Sequence, residues 1–411
     1  MNRQADGRGN IYSLGTKYVI GILLAVVFLA ASLILLGEHL LGNKASVVPK
    51  ASGPSEARIM ANGDLLYHDI MYMSARKTDG SYDFKENYEY VKPWLKKADL
   101  VLGDFEGTIQ PELPLAGYPL FNAPEEVTSA IKDAGYQVLD LAHNHILDSG
   151  LAGVSSTVEA FDKVGISTVG VYTKKSRDEA PLLIKEVNGI KIAILAYSYG
   201  YNGLEAGLSQ KDYDRTLSDL NEKKMKEEIK RAEKEADITV IMPQMGEEYR
   251  LEPTEAQVRL YHKMVDWGAD IVFGGHPHVP EPTEIVEKNG EQKLIVYSMG
   301  NFISNQRTET VGELEQSRWT ERGVLMDVTV RKENGKTTIK SAKAHPSWVN
   351  RTEKGYQTTE GYAAYTYQTY ILEDFIEGGI HRDLLDSATK ERIDLAYKET
   401  NELMDLNWPK K

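Results

Sequence analysis

Trp267-Gly-Ala-Asp-Ile-Val-Phe-Gly-Gly-His-Pro-His-Val279 is a short apolar run that breaks at two glycines and delivers two histidines. Asp270-Ile-Val-Phe273 has the length and β-branched content of a strand buried on both faces. A polar turn directly after such a strand lies at a sheet edge, where the side chains of an α/β protein converge on a common crevice. Four other segments repeat the pattern. Arg58-Ile-Met-Ala-Asn-Gly63 leads into Asp64, with His68 and Asp69 shortly after, and Asp99-Leu-Val-Leu-Gly103 leads into Asp104-Phe-Glu-Gly107. Gln137-Val-Leu-Asp-Leu-Ala142 leads into His143-Asn-His-Ile-Leu-Asp148, and Ile238-Thr-Val-Ile-Met242 into Gln244-Met-Gly-Glu-Glu-Tyr249. Four of the nine histidines fall in just two of these junctions, which concentrates imidazoles with carboxylates and amides.

Between the strand-like runs lie helical patterns. Pro124-Glu-Glu, followed by Val127, Ala130, Ile131 and Ala134, predicts a capped helix that ends at Gly135. Three Asn-Gly pairs, at 188–189, 289–290 and 334–335, predict tight hairpins, because both positions of a type I′ turn need positive φ. The expected body is therefore a mixed α/β sheet protein with antiparallel additions. The stretch Glu222–Ala236 reads as a solvated surface helix, with Met225, Ile229, Ala232 and Ala236 on one face and Glu222/Lys226 and Glu227/Arg231 as i,i+4 pairs. A final amphipathic helix is expected after Gly379, with Leu384, Leu385, Ala388, Ile393 and Ala396 apolar.

The chain has 411 residues, 41% hydrophobic and 27% charged, which is a globular balance and excludes a wholly disordered or fibrous protein. A formal charge of -13 argues against a general nucleic-acid binder, which needs a basic face. The absence of cysteine excludes disulfides, thiolate metal sites and cysteine nucleophiles. Tyr18–Gly37 carries no charge and is apolar all round. About twenty residues at about 1.5 Å each span a hydrocarbon core, so residues 18–37 are expected to be an uncleaved membrane anchor. Arg3, Arg8 and Lys17 before it favour a cytoplasmic tail at 1–17 and an extracellular body. Residues 38–56 read as a linker, 57–350 as the body and 351–411 as a C-terminal helical extension packed on it.

Carboxylates, an amide and imidazoles at one sheet edge suit divalent first-row metals, and a pair of such ions can orient a phosphate and activate water. Each motif alone has a plain structural explanation, such as a turn or a helix cap. Five at successive strand ends do not. The strings Leu141-Ala-His-Asn-His-Ile-Leu-Asp-Ser-Gly150, Trp267–Val279 and Tyr297-Ser-Met-Gly-Asn-Phe302 resemble the poly-γ-glutamate capsule biosynthesis proteins of the CapA/PgsA type, whose body looks like a calcineurin-like metallophosphoesterase. The resemblance implies a four-layer α/β sandwich of mixed sheets flanked by helices, preceded by one transmembrane helix. It also implies work on an anionic γ-linked glutamate polymer beside a ligase subunit and a small membrane subunit.

Carried over by position, the resemblance makes Asp64 the first-motif aspartate, Asp104 the aspartate that bridges two metals, and Asn144 an amide ligand. His145 is the proton donor to the leaving group, and His276 and His278 are the paired histidines of the last motif. Leu66 stands where a ligand histidine usually follows the first aspartate, which leaves His68 as a displaced candidate. Gln244 replaces the fourth-motif histidine, and Glu106 adds a carboxylate that could be a ligand, a group behind the ligands or a polymer contact. The implied cofactor is a divalent ion: Mn, Zn, Fe or Mg. With two imidazoles missing, a single-metal or metal-free site also fits. Two roles follow: a scaffold or polymer-handling subunit without turnover, which is the favoured expectation, or a metal-dependent hydrolase or transferase acting on a phosphoester or the γ-glutamyl polymer. No ATP-binding signature is evident, so the ligation itself is expected in a partner.

Overall fold

The computed structural model describes residues 53–410 apart from 313 and 315. The expected membrane anchor and most of the expected linker lie outside them. Among the described residues no helix is long and apolar enough to cross a membrane.

Among the described residues fourteen strands run β1 (Ser55–Leu65), β2 (Leu100–Phe105), β3 (Val138–Asp140), β4 (Ser167–Val169), β5 (Leu183–Val187), β6 (Ile190–Ser198), β7 (Ile238–Gln244), β8 (Ile271–Phe273), β9 (Pro280–Lys288), β10 (Glu291–Met299), β11 (Asn301–Ile303), β12 (Arg322–Glu333), β13 (Lys336–Gln357) and β14 (Ala363–Ile371). The helices are α1 (Asp69–Ala75), α2 (Lys92–Leu95), α3 (Glu126–Ala134), α4 (Gly150–Lys163), α5 (Gln210–Thr216), α6 (Glu222–Glu235), α7 (Glu255–Trp267) and α8 (Ser387–Met404). The strands form two sheets. An eight-stranded sheet has the order β14-β13-β12-β1-β2-β3-β4, with β11 paired to β1, and a six-stranded sheet has the order β5-β6-β7-β8-β10-β9. In the first sheet β1 to β4 are parallel, while β12 to β14 continue it antiparallel from the other side of β1.

Alternation along the strands explains the layering. Ile59 and Ala61 of β1 join Ile192, Ile194, Val240 and Phe273 of the second sheet in one buried cluster, so the sheets pack face to face. Met60, between them, points the other way and packs with Val127 and Ile131 of α3 and Phe161 of α4. On the far face of the second sheet, Ala193, Leu195 and Ile241 meet Met225 and Ile229 of α6 and Met264 of α7. The result is helix, sheet, sheet, helix: a mixed α/β sandwich of four layers. Each large side chain buried this way contributes about 1.5–3 kcal/mol of transfer free energy.

All three Asn-Gly pairs close two-residue hairpins, with Val187 opposite Ile190, Lys288 opposite Glu291 and Glu333 opposite Lys336. Asn188, Asn289 and Asn334 have φ of 52°, 53° and 53°, and the glycines that follow are also positive, as a type I′ turn requires. Other expectations need correction. β1 begins at Ser55, where Ser55 and Glu56 pair with Lys332 and Arg331, so the last two linker residues belong to the sheet. Position 350 lies inside β13, and residues 351–371 are largely strand, so a helical segment does not begin there. The C-terminal helix starts only at Ser387; Leu384 precedes it and is exposed, while Ile393 and Ala396 pack against Trp348 and Phe375. The helix at Glu126 starts without a side-chain cap. In α6 neither expected pair forms: Glu222 takes Lys263 of α7 instead, while Arg231 makes a different i,i+4 pair, with Glu235.

Candidate metal centre

Parallel pairing sets Asp64 of β1 opposite Asp104 of β2, and Asp104 opposite Asp140 of β3, so three carboxylates line up across adjacent strand ends. All three are buried, as is Glu106 two residues beyond Asp104. The second sheet supplies Gln244 from the end of β7, whose Nε2 donates to Asp104 Oδ2. His276 and His278 follow β8 with φ of 96° and 59°, a left-handed conformation that costs about 1–3 kcal/mol each for such residues and marks a constrained turn. Close backbone approach makes this possible. A Cβ on Gly63 would sit 2.0 Å from the Gly300 carbonyl, and one on Gly275 would sit 2.8 Å from Gln244 Nε2. Only glycine lets the two sheet ends close this tightly.

His278 is the hub. Its Nδ1 lies 2.9 Å from Asp64 Oδ2, 3.2 Å from Asn301 Oδ1 and 3.7 Å from Glu106 Oε2. Asp64, Glu106 and His278 can each turn one ligand atom to within 4.8 Å of the others. Burial alone lowers the His278 imidazole, but Glu106, the Asp64 hydrogen bond and Glu248 raise it to about 10. Glu106 is pushed up to about 7, first by burial, and Asp104 goes well above the usual carboxylate range through burial and then through Asp140, Asp64 and Glu106. His276 is held down at about 3 by burial and by His278, so its imidazole is neutral, and its Nδ1 has no hydrogen-bond partner among the described residues.

The donor set fits a divalent cation. Asp64 Oδ1, Asp104 Oδ1, both oxygens of Glu106, Asn144 Oδ1, Gln244 Oε1 and His276 Nδ1 are buried with no hydrogen-bond partner among the described residues. Among the described residues no lysine or arginine pairs with any of these carboxylates; His278 alone approaches them. An unpartnered buried polar group costs about 1–3 kcal/mol, more when charged, and a cation held among these donors would relieve that cost. Hard oxygens with imidazole suit Mn²⁺, Fe²⁺, Mg²⁺ or Zn²⁺.

The remaining sequence-selected residues sit nearby in different roles. His145 Nδ1 contacts Asp148 Oδ2 at 2.7 Å, and the same oxygen accepts the Phe121 N–H at 2.6 Å, so the ring is oriented with Nε2 left over. Asn144 Nδ2 donates to Asn202 Oδ1 at 3.3 Å, which leaves its own carbonyl oxygen free. His68 is drawn away from the carboxylates: its Nδ1 accepts the Asn305 N–H at 3.3 Å, and its ring packs edge-on against Phe121, which packs in turn on His145. The structure therefore puts Glu106, and not His68, against Asp64 and His278. Sequence reasoning missed Asp148, Asn301, Asn202 and Asp140. Asp148 sits three residues after His145 in one motif and Asn301 follows β10 at another sheet end, both readable signals, whereas Asn202 in a loop carries none.

Comparisons with known proteins agree with the sequence strings. The chain is 32% identical over 229 residues to "Capsule biosynthesis protein CapA" of Bacillus anthracis, covering 53% of this chain and 54% of that protein. It is 33% identical over 222 residues to "PGA biosynthesis protein CapA" of Bacillus subtilis (strain 168), covering 53% and 57%. The chain thus spans about half the length of the curated relatives it matches. Among solved structures, the calcineurin-like phosphoesterase YfkN of Bacillus subtilis superposes over 85% of this chain and 98% of its own with a TM-score of 0.42 at 13% identity, too loose to carry a conclusion. The model of the bacterial capsule synthesis protein family PGA_cap matches residues 58–306, more than half of the chain and every candidate ligand, and the chain belongs to that family, of the CapA/PgsA kind.

Proposed function

We propose that this chain works in the synthesis and export of a poly-γ-glutamate capsule, and that its crevice is a metal-dependent site acting on a phosphoester or on the γ-glutamyl polymer. The relatives named for capsule and PGA biosynthesis support the pathway. One observation carries the chemistry: unpartnered buried donors converge beside an imidazole oriented by a carboxylate. A divalent ion there supplies a Lewis acid and lowers the pKa of bound water. The chain's residues do the rest. Asp64, Asp104, Glu106 and His278 would hold the ion, while Asp148 orients His145 through Nδ1–H so that the doubly protonated ring can hand its Nε2 proton to a leaving group and return to the neutral form. The short apolar segment at 18–37 supports a body anchored outside the membrane, beside a ligase subunit and a small membrane subunit.

A second reading, a polymer-handling scaffold without turnover, draws support from Gln244 and Leu66, which stand where the family resemblance expects ligand histidines. Polymer yield normalised to folded membrane-bound protein separates the two. His145→Ala should abolish polymer at full abundance, because His145 touches Asp148 and none of the proposed ligands' carboxylates. Normal yield from that variant would discard the catalytic reading with His145 as acid and leave the scaffold.

A further inference from the structure

We infer that the crevice binds one divalent cation tightly, on Asp64, Glu106 and His278, and not a matched pair; this rests on the metal-centred reading above. The donors are unequal in charge. Asp64 and Glu106 bring two carboxylates to His278, and all three can place a ligand atom within 4.8 Å of one another. Apart from Asp104 Oδ1, the other unpartnered donors in the crevice, on Asn144, Gln244 and His276, belong to neutral amides and an imidazole. Coulomb attraction to a dication therefore favours the carboxylate group strongly in a buried, low-dielectric setting.

Asp104 is the one carboxylate that would have to serve a second ion, and half of it is already engaged. Gln244 Nε2 donates to Asp104 Oδ2, and the amide is locked in that orientation because its own oxygen would be repelled by the carboxylate. Gly275, with no Cβ, lets the amide lie there: a side chain would collide with Gln244 at 2.8 Å. A second ion that needed Asp104 Oδ2 would have to break this hydrogen bond and leave a buried amide donor unpaired. Glu106 meanwhile supplies the ligand that Leu66 cannot, and exchanging an imidazole for a carboxylate moves the preference toward Mn²⁺ or Mg²⁺ and away from Zn²⁺.

The test uses the chain stripped with chelator, dialysed against Mn²⁺, with bound metal counted and its spin state read by electron paramagnetic resonance. One ion per chain, with the six-line signal of an isolated Mn²⁺, is expected. Glu106→Gln should weaken it by about tenfold or more. Gln244→His, or Gln244→Glu if the histidine variant does not fold, should raise the count to two with a spin-coupled signal. Two tight ions in the unaltered chain would overturn this inference and leave the metal-centred reading standing. No bound ion would overturn both. Unchanged affinity in Glu106→Gln, or one ion still in both Gln244 variants, would remove the residue assignments on which the inference depends.

Discussion

The parallel and antiparallel halves of the first sheet treat buried charge in opposite ways. On the antiparallel side, Glu321 just before β12 is buried and fully paired. Its oxygens accept from Arg392 at 2.6 Å, from the Thr308 N–H at 3.0 Å and from Trp348 Nε1 at 2.8 Å. Asp327 of β12 likewise takes Arg58 Nε at 2.8 Å and Nη2 at 2.6 Å, with His345 Nε2 at 3.6 Å. On the parallel side, Asp64, Asp104 and Glu106 are as deeply buried yet retain oxygens with no partner. A buried carboxylate that finds its cation within the chain is part of the fold. Several that do not, gathered at the ends of parallel strands, can take a cation from outside, and that gathering is what points to a functional crevice.

Glu321→Ala gives the largest effect. It leaves the Trp348 and Thr308 N–H groups without their acceptor and Arg392 without its nearer carboxylate, while Arg307 and Arg392 keep Glu309; buried donors left unpaired cost about 1–3 kcal/mol each. Urea unfolding of the chain measures it; a loss below about 1 kcal/mol, the worth of an exposed pair, would erase the contrast between the halves.

Glu106→Gln should act with the opposite sign. In metal-free protein it replaces a buried carboxyl crowded by Asp64 and Asp104 with an amide that can donate to them, so stability should rise by about 1 kcal/mol. The unaltered chain should gain about 2.7 kcal/mol from Mn²⁺ at one hundred times its dissociation constant, and the variant should lose most of that gain. Melting with and without Mn²⁺ reads both arms. A variant less stable without metal, yet still stabilised by it, would make Glu106 an ordinary paired core group.

The smallest effect is in acid. Burial pushes the Asp327 carboxyl up, but hydrogen bonds from His345 and Arg58 outweigh it and hold it at about 2. A depressed carboxylate stabilises the fold above its unfolded pKa, and this stability is lost as pH falls from about 4 toward 2. Asp327→Asn should flatten that acid limb by about 1 kcal/mol after solvent screening. An unchanged acid limb would show that the pair at Arg58 contributes nothing to stability.

Much of this molecule was written locally. Each Asn-Gly pair specifies its own turn because the positive φ values are a property of two residues, and each short apolar run specifies a strand whose last residues are polar. Helix boundaries near the C-terminus were less legible: Leu384 has an apolar side chain but lies in a turn, and the long β13 continues through residues 351–357 with mostly polar residues at a sheet edge. Side-chain pairing in α6 went unread for the same reason. Glu222 on a helix surface has several cations in reach, and packing against α7 selects Lys263.

The sequence by itself determined that five polar junctions sit at strand ends and that the body mixes parallel and antiparallel pairing, and it singled out Asp64, His68, Asp104, Glu106, Asn144, His145, Gln244, His276 and His278 as residues with chemistry to offer. Strand length, glycine and turn preference are short-range properties, so a linear reading reaches them. Only the tertiary structure decided that Glu106 joins Asp64 and His278 while His68 turns to Asn305, and that Gln244 grips Asp104. Those choices depend on two sheets meeting face to face, which brings residues more than a hundred positions apart to within a hydrogen bond, and no spacing along the chain encodes that distance.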